Sequence, residues 1–293
     1  MEELLLFLFF LCYSGARSEL KMSLKIETYS LTGKNHVNQD IADSILDAFW
    51  VFDGATPLFG DDYLGGNDVQ KTMEAISEAL KQMYDGNRSL QDNLLQAVKA
   101  IDQIYLGEVP GYDQLPYYAK PTFAAALGRI RPGKLEYYVI GDCALRTLDG
   151  KLIRDASFDR INERNKKKVA ALKAKLWSVS VLSDEDAEML RRESLQVYQE
   201  TRKLLNHADT NPEGYWIASL DGTGIPHGVS GDAEISEGPV YAMSDGMIHI
   251  LERMPGLLEH SPDPGKRDFR SNVSAFGPNY TDDDATILMA SES

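Results

Sequence analysis

The chain has 293 residues, of which 43% are hydrophobic and 26% charged, and its formal net charge is −15. This length and apolar content suffice for one large globular domain with a sizeable core. The excess of acid argues against nucleic acid or an anionic membrane surface as a partner. The 2 cysteines and 5 scattered histidines offer neither a disulfide framework nor a zinc-binding motif.

The first 21 residues differ from the rest of the chain. Residues 4–12 are strongly apolar and small residues follow them, as in a secretory signal, but the preceding Met1-Glu2-Glu3 lacks the basic residues of a signal. The apolar run is also too short to span a bilayer well. We therefore treat residues 1–21 as an extension, either a start-site artefact or a disordered segment, and residues 22–293 as the domain. A cytoplasmic location is expected, with secretion as the alternative.

The first half of the domain alternates between strand and helix patterns. Alternating and continuous apolar runs predict strands, and apolar residues at helical spacing predict two amphipathic helices. The predicted strands are 24–31, 45–53, 122–130, 135–140, 144–148 and 150–154, and the predicted helices are 69–84 and 90–106.

The second half begins with a block of different composition. Residues 158–210 are rich in Lys, Arg, Glu and Leu at helical spacing, which predicts a helical block whose basic run is a solvated face. Beyond it we expect strands at 214–220, 240–243 and 285–290, a loop at 221–233, another loop at 262–270 and a helix from 247. Strands separated by paired helices favour a β-sandwich covered by helices.

Aspartates recur at the ends of the apolar runs. Asp53 and Asp142 follow such runs, Asp245 comes shortly after another, and Asp283 precedes the last one, while Asp40 lies upstream. Strand ends can bring side chains to one point, and crowded carboxylates repel one another unless a cation lies between them. Oxygen ligands with few His or Cys suit Mg²⁺ or Mn²⁺. The pattern therefore predicts an enzyme that uses two or more divalent ions.

These motifs, in this order, resemble those of the PPM-type metal-dependent protein serine/threonine phosphatases, the type 2C family. The likeness spans about residues 24–290, and its carriers are Asn38-Gln39-Asp40, Asp53-Gly54, Pro121-Thr122-Phe123-Ala124-Ala125, Gly141-Asp142-Cys143-Ala144, Ser244-Asp245-Gly246 and Asp283-Asp284-Ala285-Thr286. Single motifs such as Asp-Gly are common, whereas the ordered set is specific.

The resemblance implies an α+β fold, a four-layer α-β-β-α sandwich of two antiparallel sheets flanked by helices. It also implies a role for each matched residue. Asp53 would bridge two Mn²⁺ or Mg²⁺ ions, Gly54 would offer its carbonyl, Asp245 and Asp283 would complete the first metal, Asp142 would help hold a looser third ion, and Asp40 would belong to the same metal site.

The implied reaction is hydrolysis of phosphoserine or phosphothreonine in proteins. Two metals lower the pKa of a bridging water, and the resulting hydroxide attacks phosphorus in line without a phospho-enzyme intermediate. The expected partner is a phosphorylated protein, with no nucleic acid and no stable membrane association, and we expect a monomer.

The chain departs from the family pattern at several positions. Gln39 stands where many members have Glu, and Lys34 stands near the position of a phosphate-gripping Arg, which it replaces only as a point charge. Ala55-Thr56-Pro57 replaces the usual residues after Asp-Gly. Two alternatives follow: a pseudophosphatase that binds a partner through residues 158–210, or a phosphatase of small phosphoesters. Asp282 and Asp284 are interpreted as spectators, and Cys143 as a buried inert thiol.

Overall fold

The computed structural model describes residues 24–33, 37–59, 64, 67–176, 183–235, 238–254, 257–258 and 283–292. The predictions for residues 1–21, Lys34, Asp282 and the 262–270 loop lie outside the described residues. No helix within those ranges is long and apolar enough to cross a membrane.

Two antiparallel sheets form the centre of the described structure. The first sheet contains, in spatial order, β1 (Leu24–Leu31), β11 (Ala285–Glu292), β10 (Val240–Met243), β6 (Ala144–Arg146) and β7 (Leu152–Arg154). The second contains β2 (Asp40–Ile45), β3 (Ala48–Gly54), β4 (Thr122–Arg131), β5 (Lys134–Ile140) and β9 (Val229–Glu234), and the short β8 (Ala218–Ser219) pairs with β4.

The helices lie outside the sheets. They are α1 (Asp68–Met83), α2 (Leu90–Glu108), α3 (Ala156–Leu176), α4 (Asp184–Arg202) and α5 (Asp245–Arg253). Helix α4 begins at a capping box in which Ser183 and Asp186 satisfy each other's backbone amides. The Thr201 hydroxyl donates a hydrogen bond to Asn165 Oδ1 at 2.8 Å, which joins α4 to α3.

Side-chain alternation along β3 separates two apolar layers. Trp50 and Phe52 pack in the cluster shared with α1 and α2, whereas Phe49 and Val51 pack in the cluster between the two sheets. Successive side chains of a strand point to opposite faces, so one strand contributes to both layers. A third cluster joins α5, through residues such as Met247, to β10 and β11. The order helix, sheet, sheet, helix confirms the predicted four-layer α-β-β-α sandwich.

Three predicted elements are wrong in extent. The strand predicted at 45–53 corresponds to β3, before which a turn that includes Leu46 at a φ of 52° connects it to β2, a strand that the sequence did not predict. The loop predicted at 221–233 contains much of β9, a sheet-edge strand whose polar residues hide the usual apolar signal. The strand predicted at 214–220 is reduced to the two residues of β8.

The layer between β3 and the helices should dominate stability. Phe52 is fully buried and makes an edge-to-face contact with Phe123 at 5.3 Å between ring centroids. Replacing Phe52 with Ala should lower the free energy of unfolding by about 3–5 kcal/mol because it removes buried surface and leaves a cavity. Urea denaturation would measure this, with Leu106→Ala on the exposed side of α2 as the control. A Phe52→Ala loss no larger than that of the control would contradict this account of the core.

Candidate active site

Strand register brings the aspartates to one edge of the sandwich. In the first sheet, Met243 near the end of β10 pairs with Ile287 near the start of β11 and with Ala144 at the start of β6. Asp245, Asp283 and Asp142 lie just beyond these strand ends. Antiparallel neighbours run in opposite directions, so the end of one strand lies beside the start of the next. The three aspartates therefore lie at the same edge of the sheet.

The second sheet adds two more aspartates at the same edge. Asp53 on β3 lies directly opposite Asp40 on β2. Asp142 also belongs to this edge, because it follows β5 after Gly141, which has a φ of 78°. A Cβ at Gly141 would lie 2.6 Å from that of Ala124, so only glycine lets the chain turn this closely.

The convergence shows in the electrostatics of Asp53 and Asp245. Burial raises the pKa of Asp53 well above its usual value, and the nearby charges of Asp40, Asp245, Asp142 and Asp283 raise it further. The pKa of Asp245 is also well above its usual value, first because of burial and then because of Asp142 and Asp283. Carboxylates in this cluster therefore resist ionising together unless positive charge is supplied.

Asp40 is the most enclosed member of the cluster. It is 7% exposed, and burial raises its pKa to about 7, although the nearby Ser244 and Thr286 hydroxyls oppose the shift. Those hydroxyls are not within hydrogen-bonding geometry, and neither carboxylate oxygen of Asp40 has a partner among the described residues. Two buried oxygens without donors are an unfavourable arrangement that a cation would relieve.

Asp245 is held by a hydrogen-bonded junction between β10, β11 and α5. The Ser244 amide donates to the Thr286 carbonyl at 3.0 Å, and the Thr286 amide donates to Ser244 Oγ at 2.9 Å. Asp245 then opens α5, where a carboxylate is favoured by the helix dipole. Gly246 passes so close to β11 that a Cβ there would lie 1.9 Å from the Asp284 carbonyl oxygen.

Asp284 is not the spectator that the sequence suggested. It is 3% exposed, and its two carboxylate oxygens accept hydrogen bonds from the Gly33 amide at 2.8 Å and the Gln39 amide at 2.6 Å. It therefore ties the chain between β1 and β2 to the start of β11. The sequence gives no sign that Asp284 is buried, because it is one of three consecutive aspartates.

The remaining predicted residues are placed as follows. Asp142 is half-buried, its pKa is raised by burial, and its Oδ2 accepts a hydrogen bond from Asn162 Nδ2 on α3 at 3.2 Å. Burial also raises the pKa of the Cys143 thiol well above its usual value, which agrees with an inert thiol. The side chain of Gln39 accepts a hydrogen bond from the Thr56 hydroxyl at 3.3 Å.

A cleft opens beside this cluster. Its empty volume is about 740 Å³, and Asp142 and Asp245 line it together with residues of α3 and α5 that include Asn162, Lys166 and His249. No group of three or more His, Cys, Asp or Glu side chains in the described ranges is drawn together tightly enough to form a ready metal-coordination shell. The aspartates are thus close enough to repel one another but still spread apart.

The fold, a two-sheet sandwich with outer helices, resembles that of the PPM-type serine/threonine phosphatases. Three solved structures share it. Stp1 from Staphylococcus aureus matches at a TM-score of 0.56 and 11% identity, over 96% of this chain and 100% of that one. The PstP catalytic domain with 2 manganese ions matches at 0.53 and 14%, over 92% and 97%. PppA from Pseudomonas aeruginosa, a regulatory component of its T6SS, matches at 0.54 and 16%, over 92% and 98%.

These matches confirm the predicted fold, and at such identities they establish the fold alone. No protein-family model matches the sequence. No curated protein matches it either.

The close contact at Gly246 gives a test of the junction that positions Asp245. Gly246→Ala should lower the free energy of unfolding by about 1–3 kcal/mol, because the new methyl group forces α5 away from β11. Gly107→Ala on α2 is the control, since a Cβ there meets nothing within 4 Å, and it should raise stability by about 0.4–1 kcal/mol. Urea denaturation of both variants would decide. Equal stability of the two variants would show that the close approach does not constrain the junction.

Proposed function

We propose that this protein is a metal-dependent hydrolase of phosphoserine and phosphothreonine in proteins. One observation carries the proposal: in a PPM-type fold, Asp53, Asp245, Asp142 and Asp40 converge at one sheet edge, where their neighbours' charges add to the effect of burial and raise the pKa values of Asp53 and Asp245. A purely structural cluster of this kind would destabilise the fold, whereas a cation site explains why the charges are assembled.

The donor set fits hard divalent cations. All the converging groups are carboxylates, Asp40 has two buried oxygens without partners in the described structure, and Cys143 is a buried thiol whose raised pKa disfavours thiolate ligation. Oxygen donors of this type suit Mn²⁺ or Mg²⁺. When bound, two such ions would supply a hydroxide nucleophile near neutral pH and neutralise phosphate charge.

Each proposed ligand has a separate role in the proposed metal centre. In the proposed assignment, Asp53 would contact two ions, Gly54 would contribute its carbonyl, Asp245 and Asp283 would help hold the first ion, Asp142 would hold a third more loosely, and Asp40 would belong to the same centre. Lys34 remains the proposed contact for the substrate phosphate. The hydrogen bond from Asn162 orients the Asp142 carboxylate on the α3 side.

The cleft beside Asp142 and Asp245 supports a peptide-borne substrate. It is open to solvent and runs along α3 and α5 on the protein surface, so a phosphorylated side chain of another protein can reach it. Lys166 lines it and forms no ion pair with a described residue, so it can meet an acidic group of a substrate. We propose a phosphoprotein substrate, a monomeric enzyme and a cytoplasmic location.

Neutralising a central carboxylate should abolish hydrolysis without lowering the unfolding temperature. Asp53→Asn or Asp245→Asn should abolish metal-dependent hydrolysis of p-nitrophenyl phosphate and of a phosphothreonine peptide. In EDTA, the same variants should unfold at a temperature equal to or a few degrees above that of the wild type, because each change relieves like-charge repulsion. Assays with EDTA, Mn²⁺ and Mg²⁺, together with thermal melts, would measure both effects.

Asp232→Asn is the matched control, because Asp232 is exposed on the edge strand β9. It should retain wild-type turnover. Full activity in Asp53→Asn, or wild-type turnover that persists in EDTA, would refute the proposed centre. A folded wild type with no turnover in either metal would favour the pseudophosphatase alternative.

Gln39→Glu tests the departure from the family pattern. The Glu side chain can still accept the hydrogen bond from the Thr56 hydroxyl. The backbone amide of residue 39 still donates to Asp284. We therefore expect kcat to stay within about twofold of the wild type or to rise, because an added carboxylate strengthens a cation site. Steady-state kinetics in Mn²⁺ would measure it. A large fall in kcat would reveal a role that requires the neutral amide.

A further inference from the structure

The segment that follows Asp53 and Gly54 lies beyond the end of β3. Beyond β3, the Ala55 amide donates to the Thr122 carbonyl at 2.9 Å, which extends the pairing with β4 by one bond. The chain then leaves the sheet toward Leu58. A proposed metal ligand at the end of β3 is only as rigid as the backbone on both of its sides.

Two side chains of α4 hold this segment. Gln199 Nε2 donates to the Leu58 carbonyl at 2.7 Å. Arg202 Nη1 donates to Thr122 Oγ1 at 2.9 Å, and Arg202 Nη2 donates to the Thr56 carbonyl at 3.4 Å. Helix α4 is thus hydrogen-bonded to the backbone carbonyls of Thr56 and Leu58, on either side of Pro57.

Arg202 is an unusual residue to find there. It forms no ion pair with any carboxylate in the described ranges, and burial lowers the pKa of its guanidinium. A half-buried cation that pairs with no described carboxylate adds little stability, so an apolar side chain of similar size would stabilise the fold about as well. Its planar set of donors, however, can bond a hydroxyl and a carbonyl at once, which an apolar residue cannot do.

The contacts continue from Thr56 to the other carboxylates. The Thr56 hydroxyl donates to Gln39 Oε1 at 3.3 Å, and the Gly54 amide donates to the Gln39 carbonyl at 3.3 Å. The Gln39 amide in turn donates to Asp284 Oδ2 at 2.6 Å. One hydrogen-bonded path therefore joins α4 to the segments that carry Asp53, Asp40 and Asp283.

We infer that Arg202 is a positioning residue that fixes the Gly54–Thr56 backbone for metal binding, so that α4 forms part of the active centre. This inference rests on the proposed function, because it assigns Arg202 a task at the same site. Arg202 acts through the backbone and does not itself touch metal or substrate.

The test compares Arg202→Met with Arg191→Met, because Arg191 lies on the same helix in an exposed pair with Glu188. Arg202→Met should bind Mn²⁺ about tenfold more weakly in calorimetric titration, as is typical when a supporting contact of a metal ligand is lost. Its kcat should fall more than its KM changes, while its unfolding temperature stays equal or rises. Arg202→Lys should recover part of the affinity, and Gln199→Ala should show a smaller loss.

Hydrogen exchange gives a readout that needs neither metal nor activity. In EDTA, the amides of residues 54–56, 58 and 59 should exchange faster in Arg202→Met than in Arg191→Met, while those of β11 should not change. Unchanged Mn²⁺ affinity and unchanged exchange in a folded Arg202→Met variant would overturn the inference.

The two proposals fail differently. If the wild-type protein binds Mn²⁺ but does not hydrolyse phosphoesters, the proposed function is wrong. The Mn²⁺ affinity and the hydrogen exchange of Arg202→Met then still decide the positioning role. A wild type that binds no Mn²⁺ overturns both proposals.

Discussion

Mutual repulsion between buried carboxylates is the constraint on which the rest of this structure depends. In addition to the effect of burial, Asp40 and Asp245 raise the pKa of Asp53, and Asp142 and Asp40 raise the pKa of Asp245. At neutral pH such a group opposes the compact state unless cations are bound, because each added charge makes the next ionisation harder. The surrounding fold therefore has to hold the carboxylates against their own repulsion.

Neutral hydrogen bonds and close backbone contacts provide that restraint. The paired bonds between Ser244 and Thr286 lock the β10–α5 turn to β11, and the absence of a side chain at Gly246 lets the helix start against the same strand. Asp284 differs from the clustered carboxylates, since its two buried oxygens accept hydrogen bonds from two backbone amides and are not left without donors. Neighbouring aspartates thus differ: the oxygens of Asp284 are paired with backbone amides, whereas those of Asp40 have no hydrogen-bond partner among the described residues.

Much of this arrangement could be predicted from sequence, for a definite reason. Strands with continuous apolar runs, such as β3 and β10, are buried on both faces, so their patterns are strong and their ends locate Asp53 and Asp245 well. The edge strands β2 and β9 carry polar residues, and their patterns were missed. The role of Asp284 and the contacts of Arg202 join residues far apart in sequence, as in the 146 positions between Arg202 and Thr56, and no local pattern encodes such pairings.

The same long-range contacts hold the altered loop beside the proposed centre. After Asp53-Gly54 this chain has Ala55-Thr56-Pro57, so the segment cannot depend on glycine-rich geometry. Proline restricts the backbone at one position, and Gln199 and Arg202 supply hydrogen bonds on either side of it. Because the Thr56 hydroxyl also reaches Gln39, the two departures from the family pattern contact each other. Their combined effect on the centre should therefore be judged as one coupled unit, since substitutions at residues in contact are not additive.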